Sequence, residues 1–223
     1  MGQATLPTFT HHALAGAVVS GAEFVQHHEH RRAGHGEVLS VALPLQSLFP
    51  STGFERGHVY AIGGDAPLSL LFSLVAEPTT HGSWFAMVDI NRAGLLAAYE
   101  HGVALHRTLC VASHSVDTWP QVVGALVDGI DFVVVSSPPC NAHEARRLVA
   151  RAKANGTVII VLGRPGAFEV DTAFVAHTMN WQFDTHAESR IVQISATGRR
   201  VYGKYSCTVQ LPAAHGAVAE VTS

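Results

Sequence analysis

Gly63, Gly64, Asp65 and Ser69 sit between an apolar strand and an apolar helix, where a phosphate-binding loop would lie. Such a loop needs glycines to turn backbone N–H groups onto phosphates, a Lys to neutralise them and a Ser or Thr to hold magnesium. Only the glycines and Ser69 are present. Asp65 adds a negative charge where phosphates would sit, and Pro67 removes a donor from the first turn of the helix. Both changes oppose triphosphate binding, so the place is read as a relic nucleotide site.

Two further strand ends depart the same way. Met87-Val-Asp-Ile-Asn91 closes one apolar strand, and Phe132-Val-Val-Val-Ser-Ser-Pro138 closes another with Ser136 and Ser137 in place of an acid. Neither catalytic residues nor a bound cofactor or metal is expected, and the relic site comprises Gly63, Gly64, Asp65, Ser69, Asn91 and Ser136. Asp89 is a lone carboxylate at a strand end, a type that usually accepts backbone hydrogen bonds.

The elements that position these residues alternate. We read strand 58–62, helix 67–76, strand 84–90, helix 93–101, strand 108–112, helix 118–128, strand 131–135, helix 141–154 and strand 157–162, the pattern of a parallel sheet covered on both faces. Before them, 53–57 reads as a turn. After Gly163 we expect a loop, a short helix near 171–179, and two strands, 190–195 and 200–211, joined at Ala196-Thr-Gly198 as an antiparallel hairpin. The fold class is therefore α/β, with a mainly parallel sheet and a C-terminal antiparallel hairpin. Residues 1–40 read as a partly flexible arm, 41–211 as one domain and 212–223 as a flexible tail.

Composition narrows the function classes. With 223 residues, 48% hydrophobic and 14% charged, the chain can bury one sizeable core. A formal charge of −3 gives no general attraction to nucleic acid. The densest basic cluster, Arg146, Arg147, Arg151 and Lys153, reads as a solvated helix face. Cys110, Cys140 and Cys207 lack metal or disulfide spacing and fit a reducing cytoplasm, with Cys110 and Cys207 as small core residues. No run approaches the roughly 18 apolar residues of a membrane span, so no membrane contact is expected.

His27, His28, His30 and His35 match no ligand spacing, with Arg31 and Arg32 among them. Ser136, Ser137, Cys140 and His143 lack a nucleophile elbow, and Ser137, Asn141 and Glu144 suit turn and capping chemistry. Trp84, Trp119 and Trp181 read as core or rim; Trp181, preceding the hairpin, is the one suited to anchor a partner.

The run Gly57-His-Val-Tyr-Ala-Ile-Gly-Gly64 resembles the strand and loop that open the ATPase core of RecA recombinases. The resemblance continues in register through Phe85-Ala-Met-Val-Asp-Ile-Asn-Arg-Ala93, Gly102-Val-Ala-Leu-His-Arg-Thr-Leu-Cys110 and the strand ending at Ser136, and spans residues 43–211. It implies a RecA-like, P-loop-type core. Carried over by position, the family's phosphate-binding Lys falls at Ser69 or Leu70, its catalytic Glu at Asn91 and its magnesium-side Asp at Ser136. The DNA-binding loops would fall near 138–143 and after Gly163, where the stretches are short and hold little basic charge.

Among RecA-like chains lacking these groups, this one resembles the ImuA-type proteins of bacterial DNA-damage-induced (SOS) mutagenesis, in particular the shorter ImuA-prime branch. That resemblance implies a non-catalytic accessory of translesion synthesis. Its partner would be an ImuB-type inactive relative of Y-family polymerases and, indirectly, an error-prone C-family polymerase and the sliding clamp. DNA contact would be weak or indirect. Two alternatives stand beside it. One is a SulA-like inhibitor of cell division. The other is a RecA-like ATPase with relocated groups, for which Arg92 or Arg164 would be the nearest cation.

Overall fold

The computed structural model describes residues 37–90, 94–183, 187–199, 205–213 and 216–221. The expected arm, with His27, His28, His30 and His35, lies outside the described residues, apart from residues 37–40.

Nine strands form the main sheet: β3 (Val59–Gly64), β4 (Phe85–Val88), β5 (Thr108–Val111), β6 (Phe132–Ser136), β7 (Val158–Leu162), β8 (Thr172–Phe183), β9 (Ala187–Gly198), β10 (Tyr205–Gln210) and β11 (Ala219–Glu220). Their spatial order is β11-β10-β9-β8-β3-β7-β6-β4-β5. From β5 to β8 all pairings are parallel, and from β8 to β11 they are antiparallel. The α/β sequence pattern is thus observed, with helices α1 (Pro67–Thr80), α2 (Leu95–Glu100), α3 (Trp119–Gly129) and α4 (Ala142–Asn155) as crossovers.

The central strands are apolar at nearly every position because both of their faces are covered. Tyr60, Ile62, Phe85, Met87, Phe132, Val134 and Ile160 face a core closed by α1 through Leu70, Leu71 and Leu74 and by a 3-10 turn at Leu43–Leu48. Val59, Ala86, Val88, Val133, Val135, Ile159 and Val161 face a second core, closed by Trp119, Val123 and Val127 of α3 and Ala145, Leu148 and Ala152 of α4. α4 begins on the expected capping box: Asn141 Oδ1 accepts from the N–H groups of His143 and Glu144, and Glu144 Oε2 accepts from Asn141 N–H at 2.9 Å. It ends at Gly156, whose φ of 69° closes the helix in the left-handed region.

The structure corrects five expectations. Residues 171–179 form no helix; they open β8, whose buried Thr172, Phe174 and Ala176 alternate with more exposed residues. Pairing of Thr172–Ala176 with β3 on one side and of Thr172–Thr178 with β9 on the other outweighs local helical tendency. Ala196-Thr-Gly198 is the end of β9, not a turn, and pairs with Thr172–Phe174. Residues 53–55, read as a turn, form β2 (Gly53–Glu55), paired with β1 (Val38–Ser40). Cys110 is exposed, since β5 is the sheet's outer strand, whereas Cys207 is half-buried and burial pushes its thiol up to about 11. Part of the expected flexible tail is ordered, Ala219–Glu220 pairing with Val209–Gln210.

The tail is also held by His101, which is 5% exposed and whose Nδ1 lies 2.6 Å from Gly216 O. Burial lowers the pKa of His101 below 6.5, the hydrogen bond to Gly216 working against it. The folded state therefore binds fewer protons than the unfolded chain near pH 6, so the stability this adds is complete above the unfolded pKa and is lost as pH falls below about 6.5. Urea midpoints between pH 7.5 and 5.5 should fall further for the native chain than for His101→Gln. No helix among the described residues is long and apolar enough to cross a membrane.

Candidate functional site

The turn from β3 to α1 is where a phosphate loop would open, and here it continues the sheet. Gly64 is paired with Ala176 of β8 at φ 98°, and Asp65 N–H donates to Ala176 O at 2.9 Å. A backbone donor that a nest would aim at an anion is thus spent in the β-ladder. The Asp65 carboxylate is tied to the same strand: Oδ2 accepts from Thr178 N–H at 3.0 Å and lies 3.3 Å from His177 Nδ1. A Cβ on Gly64 would sit 2.0 Å from Ala176 O, whereas one on Gly63 would meet nothing within 4 Å. Gly64 is thus required by the close approach of β8, independently of any ligand.

Ser69, in the first turn of α1, accepts from Arg190 Nη2 at 2.7 Å. Arg190 comes from β9 and is 8% exposed; its Nε donates to Leu211 O at 2.6 Å, and its guanidinium lies 5.1 Å from the centre of the Trp181 ring. Burial lowers its pKa and the charge of Asp65 raises it. A cation therefore occupies the helix start where an anion would bind, already committed to a serine, a carbonyl and an indole. Sequence reading missed it. Arg190 is 121 positions from Ser69, and nothing local to either residue signals the contact. Of the cations considered from sequence, Arg92 lies outside the described residues and Arg164 is exposed after β7.

Asn91 likewise lies outside the described residues. Ser136 ends β6 in register with Leu162 and is half-buried. Asp89 has both carboxylate oxygens occupied, accepting from Ser113 N–H at 2.9 Å and Ser113 Oγ–H at 2.7 Å, so it ties the end of β4 to the segment after β5. The structure thus gathers Gly63, Gly64, Asp65 and Ser69 at one turn and adds Arg190 and Trp181 to it. Cys140 has its thiol pushed up by burial and by Glu144, the reverse of an activated nucleophile. Trp84 and Trp119 are buried, while Trp181 is 43% exposed beside exposed Met179. Among the described residues no cluster of three or more His, Cys, Asp or Glu side chains could hold a metal ion.

The family model for the MT3502 N-terminal domain matches residues 47–166, more than half of the chain. The chain belongs to the MT3502 N-terminal domain family. The region shared with that family runs from the segment before β2 into the loop after β7, so it contains the turn at Gly63–Ser69. The residues that close this turn, Ala176, Thr178 and Arg190, lie beyond the match to the MT3502 N-terminal domain.

No curated protein matches the chain. Among solved structures, a crystal structure of the RadB recombinase is similar, with a TM-score of 0.59 at 13% identity, covering 81% of this chain and 97% of that one. The core of this MT3502-family chain is therefore RecA-like in fold, as its sequence motifs imply.

Proposed function

We propose that this chain is a RecA-like accessory protein without phosphoryl-transfer chemistry, of the ImuA type, that serves error-prone translesion synthesis through protein contacts. Its direct partner in this reading is an ImuB-type relative of Y-family polymerases, and through it a C-family polymerase and the sliding clamp, with DNA contact weak or indirect. The observation that carries the non-catalytic half is the closed turn: Asp65 N–H and the Asp65 carboxylate are bonded to β8, and Ser69 is bonded to Arg190. Phosphoryl transfer needs preorganised positive charge around the transferred group. Here Arg190, the cation bonded to Ser69, is engaged with Leu211 O and Trp181. The mutagenesis half rests on the ImuA-type sequence resemblance.

Titrating the purified protein with labelled ATP and Mg²⁺ should give neither saturable binding nor phosphate release above buffer. Hydrolysis abolished by Arg190→Ala would instead establish an ATPase with a relocated cation. In cells, deletion should abolish damage-induced mutagenesis without changing cell shape. Filamentation on overproduction would favour a division inhibitor.

A further inference from the structure

α4 presents Ala145, Arg146, Val149, Ala150 and Lys153 along one side, and the loop descending from β7 to β8 runs beside it with Ala167 and Glu169. Between them lies a groove of about 280 Å³. Its floor is made of Ala145, Val149, Ala150 and Ala167. Arg146 and Lys153 stand towards its two ends, seven residues and so about 10 Å apart along the helix. Both are exposed and neither forms an ion pair among the described residues, Arg146 donating its Nε to Ala142 O at 3.0 Å. Glu169, the one acid lining the groove, is paired with Arg199 at 3.0 Å. By contrast Arg151, on the side facing α3, is taken up by Asp128. Of these basic residues Arg151 is thus neutralised by α3, while Arg146 and Lys153 border apolar floor.

We propose that this groove binds an acidic protein segment in the extended polyproline II conformation, with two carboxylates about 10 Å apart flanking small apolar side chains, a spacing of roughly three residues, at which side chains return to the same side of the chain. Charge complementarity selects the occupant: two unpaired cations meet two carboxylates, and the floor receives the side chains between them. Nucleic acid fits less well. The chain carries −3 overall, only two cations reach the groove, and no aromatic lines it for base stacking. The inference rests on reading the chain as a protein-interaction module and names the chemistry one of its partners must present.

The test is an NMR titration of the ¹⁵N-labelled full chain with acetyl-Gly-Glu-Val-Ala-Glu-Gly-amide. Saturable shifts are expected at Val149, Ala150, Lys153 and Ala167. Replacing both Glu by Gln in the peptide, or combining Arg146→Ala with Lys153→Ala in the protein, should each weaken binding about tenfold, because two exposed charge pairs are lost. Both side chains are exposed, so the variant should keep the native spectrum elsewhere. Equal binding of the Gln peptide, absence of saturation, or tighter binding of a short oligothymidylate at the same amides would each overturn the proposal. The peptide titration uses no ATP: its failure beside a silent ATP assay removes this groove alone, whereas ATP hydrolysis removes the non-catalytic reading whatever the peptide does.

Discussion

Asp131→Ala should lower stability by about 3–5 kcal/mol, the range for removing one partner of a buried ion pair. Asp131 is fully buried at the start of β6. Its Oδ1 accepts from Arg56 Nη1 at 2.8 Å, and its Oδ2 accepts from Trp84 N–H at 2.8 Å. Arg56 reaches on to Gly156 O at 3.3 Å, and its side chain is 6% exposed. One carboxylate therefore joins the segment before β3, the segment before β4 and the start of β6. The alanine variant leaves the buried guanidinium with the half-exposed Glu37 carboxylate at 3.7 Å in place of its buried acid, and a backbone N–H without an acceptor. Urea unfolding should show a fall in midpoint. Exchanging both members for apolar residues, Arg56→Met with Asp131→Leu, should recover part of the loss, because the desolvation cost of both charges disappears together. A midpoint unchanged by Asp131→Ala would mean that the pair is silent in the native state.

Gly64→Ala should cost about 2–4 kcal/mol, through left-handed backbone strain and overpacking, while Gly63→Ala should stay within about 0.5 kcal/mol of the native chain. The contrast follows from one neighbour. A methyl at position 64 would lie 2.0 Å from Ala176 O on a backbone held at φ 98°, and both the backbone and the facing carbonyl are fixed in the ladder. A methyl at position 63 would project into open space. If the two glycines were instead kept for phosphate, the two variants would be alike in stability and differ from the native chain only in nucleotide binding. Chemical denaturation of both variants decides between these outcomes, and equal midpoints would sink the close-packing account.

The parallel half of the fold was legible because its signals are local. Runs such as Phe132–Ser136 and Val158–Leu162 are apolar at nearly every position, as strands covered on both faces must be. Asn141 and Glu144 announced the start of α4 through three-residue spacing alone. The antiparallel half was less legible. Residues 171–179 carry alanines that tolerate a helix, and they become a strand because β3 and β9 offer ladder partners far away in sequence. Gly53 opens a strand, not a turn, because its missing Cβ lets Leu39 O approach, again a contact with no local trace.

The turn at Gly63–Ser69 divides along the same line. The sequence by itself determined which side chains the turn and strand end lack: no lysine stands between Gly64 and Leu70, and no carboxylate stands at position 136, because side-chain type is a property of each position. It also determined that glycines lie at the turn. Only the tertiary structure decided what those residues do instead. Asp65, which reads as a charge repelling phosphate, is a tie to Thr178, and Ser69, which reads as a surviving hydroxyl, is the acceptor for Arg190. These partners are 113 and 121 positions away. Hydrogen bonds and close backbone approaches across a sheet are set by strand order and register, and neither is encoded within any short window of the chain.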